Sequence, residues 1–156
     1  MGGAYLRPRK YFVVGGRGLS RVSKLNAFDR ALHEAGISHC NLVPVSSILP
    51  RGAEEVESAP IEPGAIVFVI MARADGESGE RISAGLAWAR TDDYGLVAEG
   101  HAEGRGEELR EELLKRIEDM AAARGLRVVD VKCRVEELVV PEGLYGSVVV
   151  ALVLVP

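Results

Sequence analysis

Side chains able to act as nucleophile, metal ligand or proton donor are sparse in this chain of 156 residues, which holds three histidines and two cysteines. His33, His39 and His101 fall at no metal-ligand spacing, so they read as surface or core histidines. Cys40 and Cys133 are isolated thiols with neither CxxC spacing nor a disulfide framework, which suits a reducing compartment. The run Gly15-Gly16-Arg17-Gly18 lacks the Lys and Ser/Thr of a phosphate-binding loop and does not match GxGxxG. It reads as a turn. The informative segment is Asn41-Leu-Val-Pro-Val-Ser-Ser-Ile-Leu-Pro50. Taken alone, Ser46 and Ser47 end a strand before the Pro50 turn, and Asn41 can satisfy strand-end backbone groups. Two carboxylates complete the candidates. Asp29 falls at a predicted N3 position, where an acid offsets the helix dipole. Glu99 lies among Val97, Ala98 and Gly100, and its own neighbours leave it an outward-facing acid on an edge strand.

The elements that must position these groups follow from composition and periodicity. Hydrophobic residues make up 47% and charged residues 27%, the balance of one ordinary globular domain spanning residues 1–156. Aromatics are only 5%, so the interior must be aliphatic. A net charge of −4 argues against a dedicated nucleic-acid binder, which needs a basic surface. The most apolar stretch, 144–155, is too short to span a bilayer and reads as a buried strand, and the N-terminus lacks a secretory apolar run. The expectation is a cytoplasmic protein with no membrane partner.

Tyr11–Val14 reads as a strand followed by a loop to Lys24. A helix opens at Asn26 as N-cap and closes at Gly36, with Phe28, Ala31, Leu32 and Ala35 on one face. Strands are expected over Ile37–Val45 and Ala65–Ala72, with an Ala-Asp-Gly-Glu-Ser-Gly-Glu loop after the second. Ile82, Ala84, Leu86 and Trp88 alternate with small residues that allow close packing against another layer. A further strand covers Gly95–His101. The clearest helix runs over 106–124, with Leu109, Leu113, Ile117, Met120 and Ala121 as its apolar stripe and Gly125 as its stop. Its charged face is expected to be solvated. Strands over Leu126–Val140 and Ser147–Val155 finish the chain. Two helices cannot cover both faces of one large sheet, so the pattern predicts an α/β/β/α sandwich: two packed sheets with a helix outside each.

The segment Asn41–Pro50, with Leu-Asn-Ala-Phe-Asp at 25–29, Gly-Glu-Arg-Ile-Ser-Ala at 79–84 and Gly-Leu-Val-Ala-Glu-Gly at 95–100, resembles the pyruvoyl-dependent arginine decarboxylases, in the same order along most of the chain. The resemblance implies autocatalytic cleavage between Ser46 and Ser47. The Ser47 hydroxyl attacks the Ser46 carbonyl, the peptide becomes an ester, and β-elimination then cuts the chain. Residues 1–46 and 47–156 result, the second capped by a pyruvoyl group derived from Ser47. No metal or nucleotide is implied. Asn41 matches the family's processing asparagine. The pyruvoyl carbonyl condenses with the amine of L-arginine as a Schiff base and takes up electrons as carbon dioxide leaves, giving agmatine for polyamine synthesis. Glu99 matches the proton donor, and Asp29 the carboxylate that meets the guanidinium. A homotrimer is implied, with sites between subunits. Arg30, Pro44 and Arg81 depart from the family pattern; Arg30 in particular sets a cation beside Asp29. Two other readings stay open: a pyruvoyl decarboxylase of another amino acid such as histidine, and an uncleaved relative acting as a binding or scaffold protein.

Overall fold

The computed structural model describes residues 4–156. Its first strand, β1 (Lys10–Ser20), runs straight through the Gly15–Gly18 run that the sequence suggested as a loop. The reason is the first helix, α1 (Lys24–Glu34), which lies directly on those glycines. A Cβ on Gly16 would stand 2.2 Å from the Ala31 carbonyl oxygen, and one on Gly18 2.1 Å from that of Ala27. Only glycine permits this approach of helix backbone to strand backbone. The start of α1 also differs from expectation. Ser23 is the N-cap and its hydroxyl accepts the Asn26 N–H at 3.0 Å, so Asn26 lies inside the first turn. Asp29 therefore sits in the middle of α1, where the helix-dipole explanation for an acid no longer applies. The helix closes as expected, with Gly36 at φ +81°.

Two sheets face each other. The first has the order β2-β5-β9-β1-β4, where β2 is Asn41–Pro44, β4 Glu54–Glu55, β5 Ile66–Gly76 and β9 Tyr145–Val155. The second has the order β3-β7-β6-β8, where β3 is Ile48–Leu49, β6 Arg81–Thr91, β7 Gly95–Ala102 and β8 Val128–Val139. The strand expected over Ile37–Val45 shrinks to β2, because Ile37 is spent in the turn below α1, where it is buried. β5 extends three residues past Arg73, through part of the expected loop, since β9 continues to pair with it as far as Gly76↔Gly146. The turn narrows to Glu77–Glu80, closed by the Glu80 N–H donating to the Glu77 carbonyl.

Side-chain alternation divides the layers. Ile82, Ala84, Leu86 and Trp88 of β6 enter the space between the sheets with Ile70, Val150 and Leu152. Ala87 and Ala89 turn the other way, toward Leu109, Leu113 and Ile117 of α2 (Gly106–Arg124). On the far side, Ala31 of α1 and its C-cap residue Ala35 pack on Phe12, Val149, Ala151 and Val153. The result is the expected α/β/β/α sandwich. Leu109, Leu113 and Ile117 are 2%, 0% and 1% exposed, and burying three such chains contributes roughly 5–9 kcal/mol. Exposed pairs on the polar face of α2, such as Arg116 with Glu112, are each worth a few tenths of a kcal/mol. The apolar stripe therefore decides where α2 lies, and the charged face is solvated.

Candidate active site

Ser46 and Ser47 occupy the step by which the chain leaves one sheet and enters the other. β2 is the edge of the first sheet and pairs in parallel with β5, while β3 is the edge of the second and pairs antiparallel with β7. Both sides of the step are pinned. The Val45 N–H donates to the Val69 carbonyl at 2.8 Å, and the Val97 N–H donates to the Ser47 carbonyl at 2.8 Å. Between these anchors, the peptide joining Ser46 to Ser47 takes no backbone hydrogen bond among the described residues. Ser46 is exposed and Ser47 half-buried. A peptide tethered at both ends and unpaired in the middle keeps its carbonyl open to attack, whereas a ladder bond would hold it in the sheet. Pro44 costs nothing here, because it ends an edge strand.

Glu99 stands on the same edge. The ladder pairs Ile48 with Leu96, and the Val97 bond carries that register to Ser47 opposite Val97. Glu99 is two residues beyond Val97 and shares its face. It pairs with Leu86, whose side chain belongs to the inter-sheet core, so the Glu99 carboxyl also leaves β7 on the inter-sheet side, just past the end of β3. Although Glu99 is exposed in the single chain, burial of its carboxyl against this apolar surface raises its pKa above the ordinary glutamate value. His101 and Arg116 pull in the opposite direction and do not cancel it. Arg116 of α2 also donates to the Glu99 carbonyl oxygen at 2.5 Å, a contact that an amphipathic helix pattern gives no means of reading.

Asn41 and Asp29 do not join this pair within one chain. Asn41 opens β2, five residues before Ser46, and its amide donates to the Gly64 carbonyl at 3.1 Å. At ~3.3 Å per extended residue the distance is on the order of 15 Å. Asp29 lies on the solvent side of α1, in a shallow groove with Leu25, Phe28 and Leu32, outside the first sheet. Its carboxylate has no hydrogen-bond or ion-pair partner among the described residues. Arg30 does not claim it: that guanidinium donates to the Leu19 carbonyl at 2.7 Å. Arg81, the other departure, is paired with Glu137 at 2.5 Å, and this bond holds the Glu137 carboxyl below its usual range. A network the sequence did not reveal braces the α1 groove from beneath. Arg73 stacks 3.7 Å from the centre of the Phe28 ring, pairs with Asp75 at 2.8 Å, and Asp75 accepts the buried Ser147 hydroxyl at 2.8 Å. Its only sequence signal was the alternation of Arg73 and Asp75 on one strand.

Among the described residues no group of three or more His, Cys, Asp or Glu side chains is gathered to hold a metal ion, and no helix is long and apolar enough to cross a membrane.

Comparison with known proteins places the chain among relatives. A family profile for pyruvoyl-dependent arginine decarboxylase matches residues 10–156. The chain is 41% identical over 122 residues to the pyruvoyl-dependent arginine decarboxylase of Methanothermobacter thermautotrophicus, covering 77% of this chain and 76% of the relative. It is 40% identical over 126 residues to that of Methanopyrus kandleri, covering 80% and 82%. A pyruvoyl-dependent arginine decarboxylase 2 of Archaeoglobus fulgidus is 39% identical over 124 residues, covering 70% and 78%. Such relatives define the class as a carboxy-lyase, an enzyme that removes a carboxylate as carbon dioxide. The chain belongs to the pyruvoyl-dependent arginine decarboxylase family.

Proposed function

We propose that this chain cuts itself between Ser46 and Ser47 and then decarboxylates L-arginine to agmatine and carbon dioxide, as a homotrimer in the cytoplasm. The observation that carries the reading is the unpaired Ser46–Ser47 peptide, stretched between the Val45 and Val97 anchors. The Ser47 Oγ attacks the Ser46 carbonyl carbon, the Ser46–Ser47 C–N bond gives way to an ester, and the Ser47 nitrogen takes the proton. Loss of the Ser47 α-proton expels the Ser46 carboxylate and leaves dehydroalanine at 47. Water then releases ammonia and leaves a pyruvoyl cap on chain 47–156, with residues 1–46 still folded against it as one domain. The half-buried position of Ser47 beside Val97 fits a small ketone cap, which needs no charged partner. When formed, the cap supplies the electron sink for loss of carbon dioxide.

The side chains divide the remaining work. Glu99 holds a proton at its carboxyl above the ordinary glutamate range and delivers it to carbon at the inter-sheet edge. Asp29 receives the guanidinium through paired charge-assisted hydrogen bonds, and Leu25, Phe28 and Leu32 in the same groove suit the methylenes. Asn41 supports processing across a subunit boundary. Two facts favour a shared site: Asp29 lies outside the first sheet while Ser47 and Glu99 lie at the edge between sheets, and Val43, Val45 and Ile48 flank the serines with 38%, 38% and 42% of their surface exposed. A second copy seated on this edge would cover the apolar residues, and the proposed shared site requires it to present its Asp29 toward Ser47.

Mass spectrometry of the purified protein tests the reading in one measurement. Two chains, 1–46 and 47–156, with a ketone in place of the residue-47 amine, are expected. Carbon dioxide release should be strong with arginine and weak with histidine, lysine and aspartate. An intact chain that persists on warming, or equal release from histidine, would overturn the assignment.

A further inference from the structure

Beyond Val97, one edge of β7 has no strand beside it among the described residues. The ladder with β3 consists of Ile48↔Leu96 and Leu49↔Gly95, and the Val97 N–H is taken by the Ser47 carbonyl. In an antiparallel sheet the backbone groups of alternate residues point to the same side, so those of Glu99 point to this open edge. The Glu99 carbonyl oxygen is met there from another layer. Arg116 of α2 donates to it through Nη1 at 2.5 Å, while its Nη2 is held at 2.7 Å by Glu112, one turn earlier on the helix. A guanidinium held at both tips sets orientation as well as distance, although such an exposed pair adds little to stability.

Gly100 makes this reach possible. A Cβ there would stand 3.5 Å from Arg116 Nη1 and 3.1 Å from methyl groups of both Leu109 and Leu113. Glycine weakens a strand interior, and its place here marks the close approach of α2 to β7. The Glu99 carboxyl leaves the strand on the inter-sheet side, where β3, β5 and β6 contribute Leu49, Ile70, Ala72 and Leu86, none of them charged. The charges that act on it are His101, two residues along β7, and Arg116. We propose that Arg116 is a positioning residue for Glu99: its guanidinium ties the open edge of β7 to α2 and fixes where the Glu99 carboxyl stands relative to Ser47. The role rests on Glu99 being the proton donor, so one measurement is made without turnover.

In the Ser47→Ala precursor, NMR of the Glu99 carboxyl carbon, identified by its loss in Glu99→Gln, follows the titration of this group alone. Arg116→Gln removes a cation and should move the midpoint to higher pH; Arg116→Lys should leave it near that of the parent. Loosening of the edge would expose the carboxyl and move the midpoint down, so partial unfolding cannot imitate the expected shift. In the cleaved enzyme, Arg116→Gln should lower the plateau kcat about three- to tenfold, the worth of one exposed charge-assisted hydrogen bond. KM for arginine should stay within about twofold, because Arg116 does not touch Asp29, and Arg116→Lys should recover most of the loss. A midpoint that stays or falls in Arg116→Gln, or an unchanged kcat in an enzyme that turns over, would overturn the role of Arg116. An upward shift in the precursor with no carbon dioxide from the cleaved wild type would support the tie and overturn the decarboxylase reading instead.

Discussion

The two helices cover equivalent sheets by different means. α1 rests its backbone on β1 through Gly16 and Gly18, and the contact is carbonyl against Cα, with no side chain between. α2 stands off its sheet on Leu109, Leu113 and Ile117. Aliphatic side chains can shift rotamer and repack, so the distance of α2 can give slightly, whereas a backbone stop cannot. The difference coincides with the division of candidate chemistry. The helix on the hard stop carries Asp29, which the proposed function assigns to holding a planar cation at a set distance; the layer under α2 carries Glu99 on β7 and, at the step that leads into β3, Ser47. On the proposed function, recognition and reaction reside in separate layers, and variants should separate them.

The largest separation is expected from Ser47→Ala. Without the hydroxyl there is no ester, so gel electrophoresis should show one uncleaved chain and no carbon dioxide release, while Asp29→Ala should cleave normally. Uncleaved Asp29→Ala would merge the two layers' roles. Glu99→Gln comes next. Cleavage should proceed, but kcat should fall roughly 10²–10⁴-fold, the usual worth of a positioned acid. The pH dependence follows the same group. Because burial raises its pKa, Glu99 keeps its proton to higher pH than a free glutamate, and kcat should decline only as pH rises through that elevated value. Exposing the edge by a polar substitution at Val97 should move the decline to lower pH.

Stability measurements compare the two seats directly. Leu113→Ala leaves a cavity under α2 and should cost about 2–5 kcal/mol by denaturant unfolding, with KM for arginine unchanged. Gly18→Ala forces α1 outward, since its Cβ would meet the Ala27 carbonyl at 2.1 Å. It should cost roughly 1–3 kcal/mol and also raise KM, because Asp29 moves with the helix. Equal effects on KM from both variants would show that the seats do not differ in function.

The layer order was legible because β6 and α2 carry strong period-2 and helical patterns, which are local properties. The serine pair and Glu99 were legible only through resemblance; their own neighbours describe a strand end and an edge acid. What escaped was whatever depends on contacts between distant segments. Gly15–Gly18 has the composition of a turn, and only the helix above it explains the glycines as spacers. Asp29 read as an N3 acid because Asn26 was a plausible cap, but Ser23 caps one turn earlier. The bonds from Val97 to Ser47 and from Arg116 to Glu99 join segments 50 and 17 residues apart, and no local pattern encodes them.

The smallest effect tests the α1 side most sharply. Arg30 is the residue beside Asp29 that departs from the family pattern, and adjacency alone predicts that it repels a guanidinium or occupies Asp29. Successive helical residues point about 100° apart, however, and the Arg30 guanidinium is spent on the Leu19 carbonyl at 2.7 Å. Arg30→Gln should therefore cost less than about 1 kcal/mol of stability, the net worth of one exposed hydrogen bond. KM for arginine should stay within about twofold of wild type, because a solvated charge held away from the site is screened. A several-fold drop in KM would mean that Arg30 competes for Asp29 in solution, and recognition on α1 would then depend on the neighbouring side chain as well as on the glycine seat.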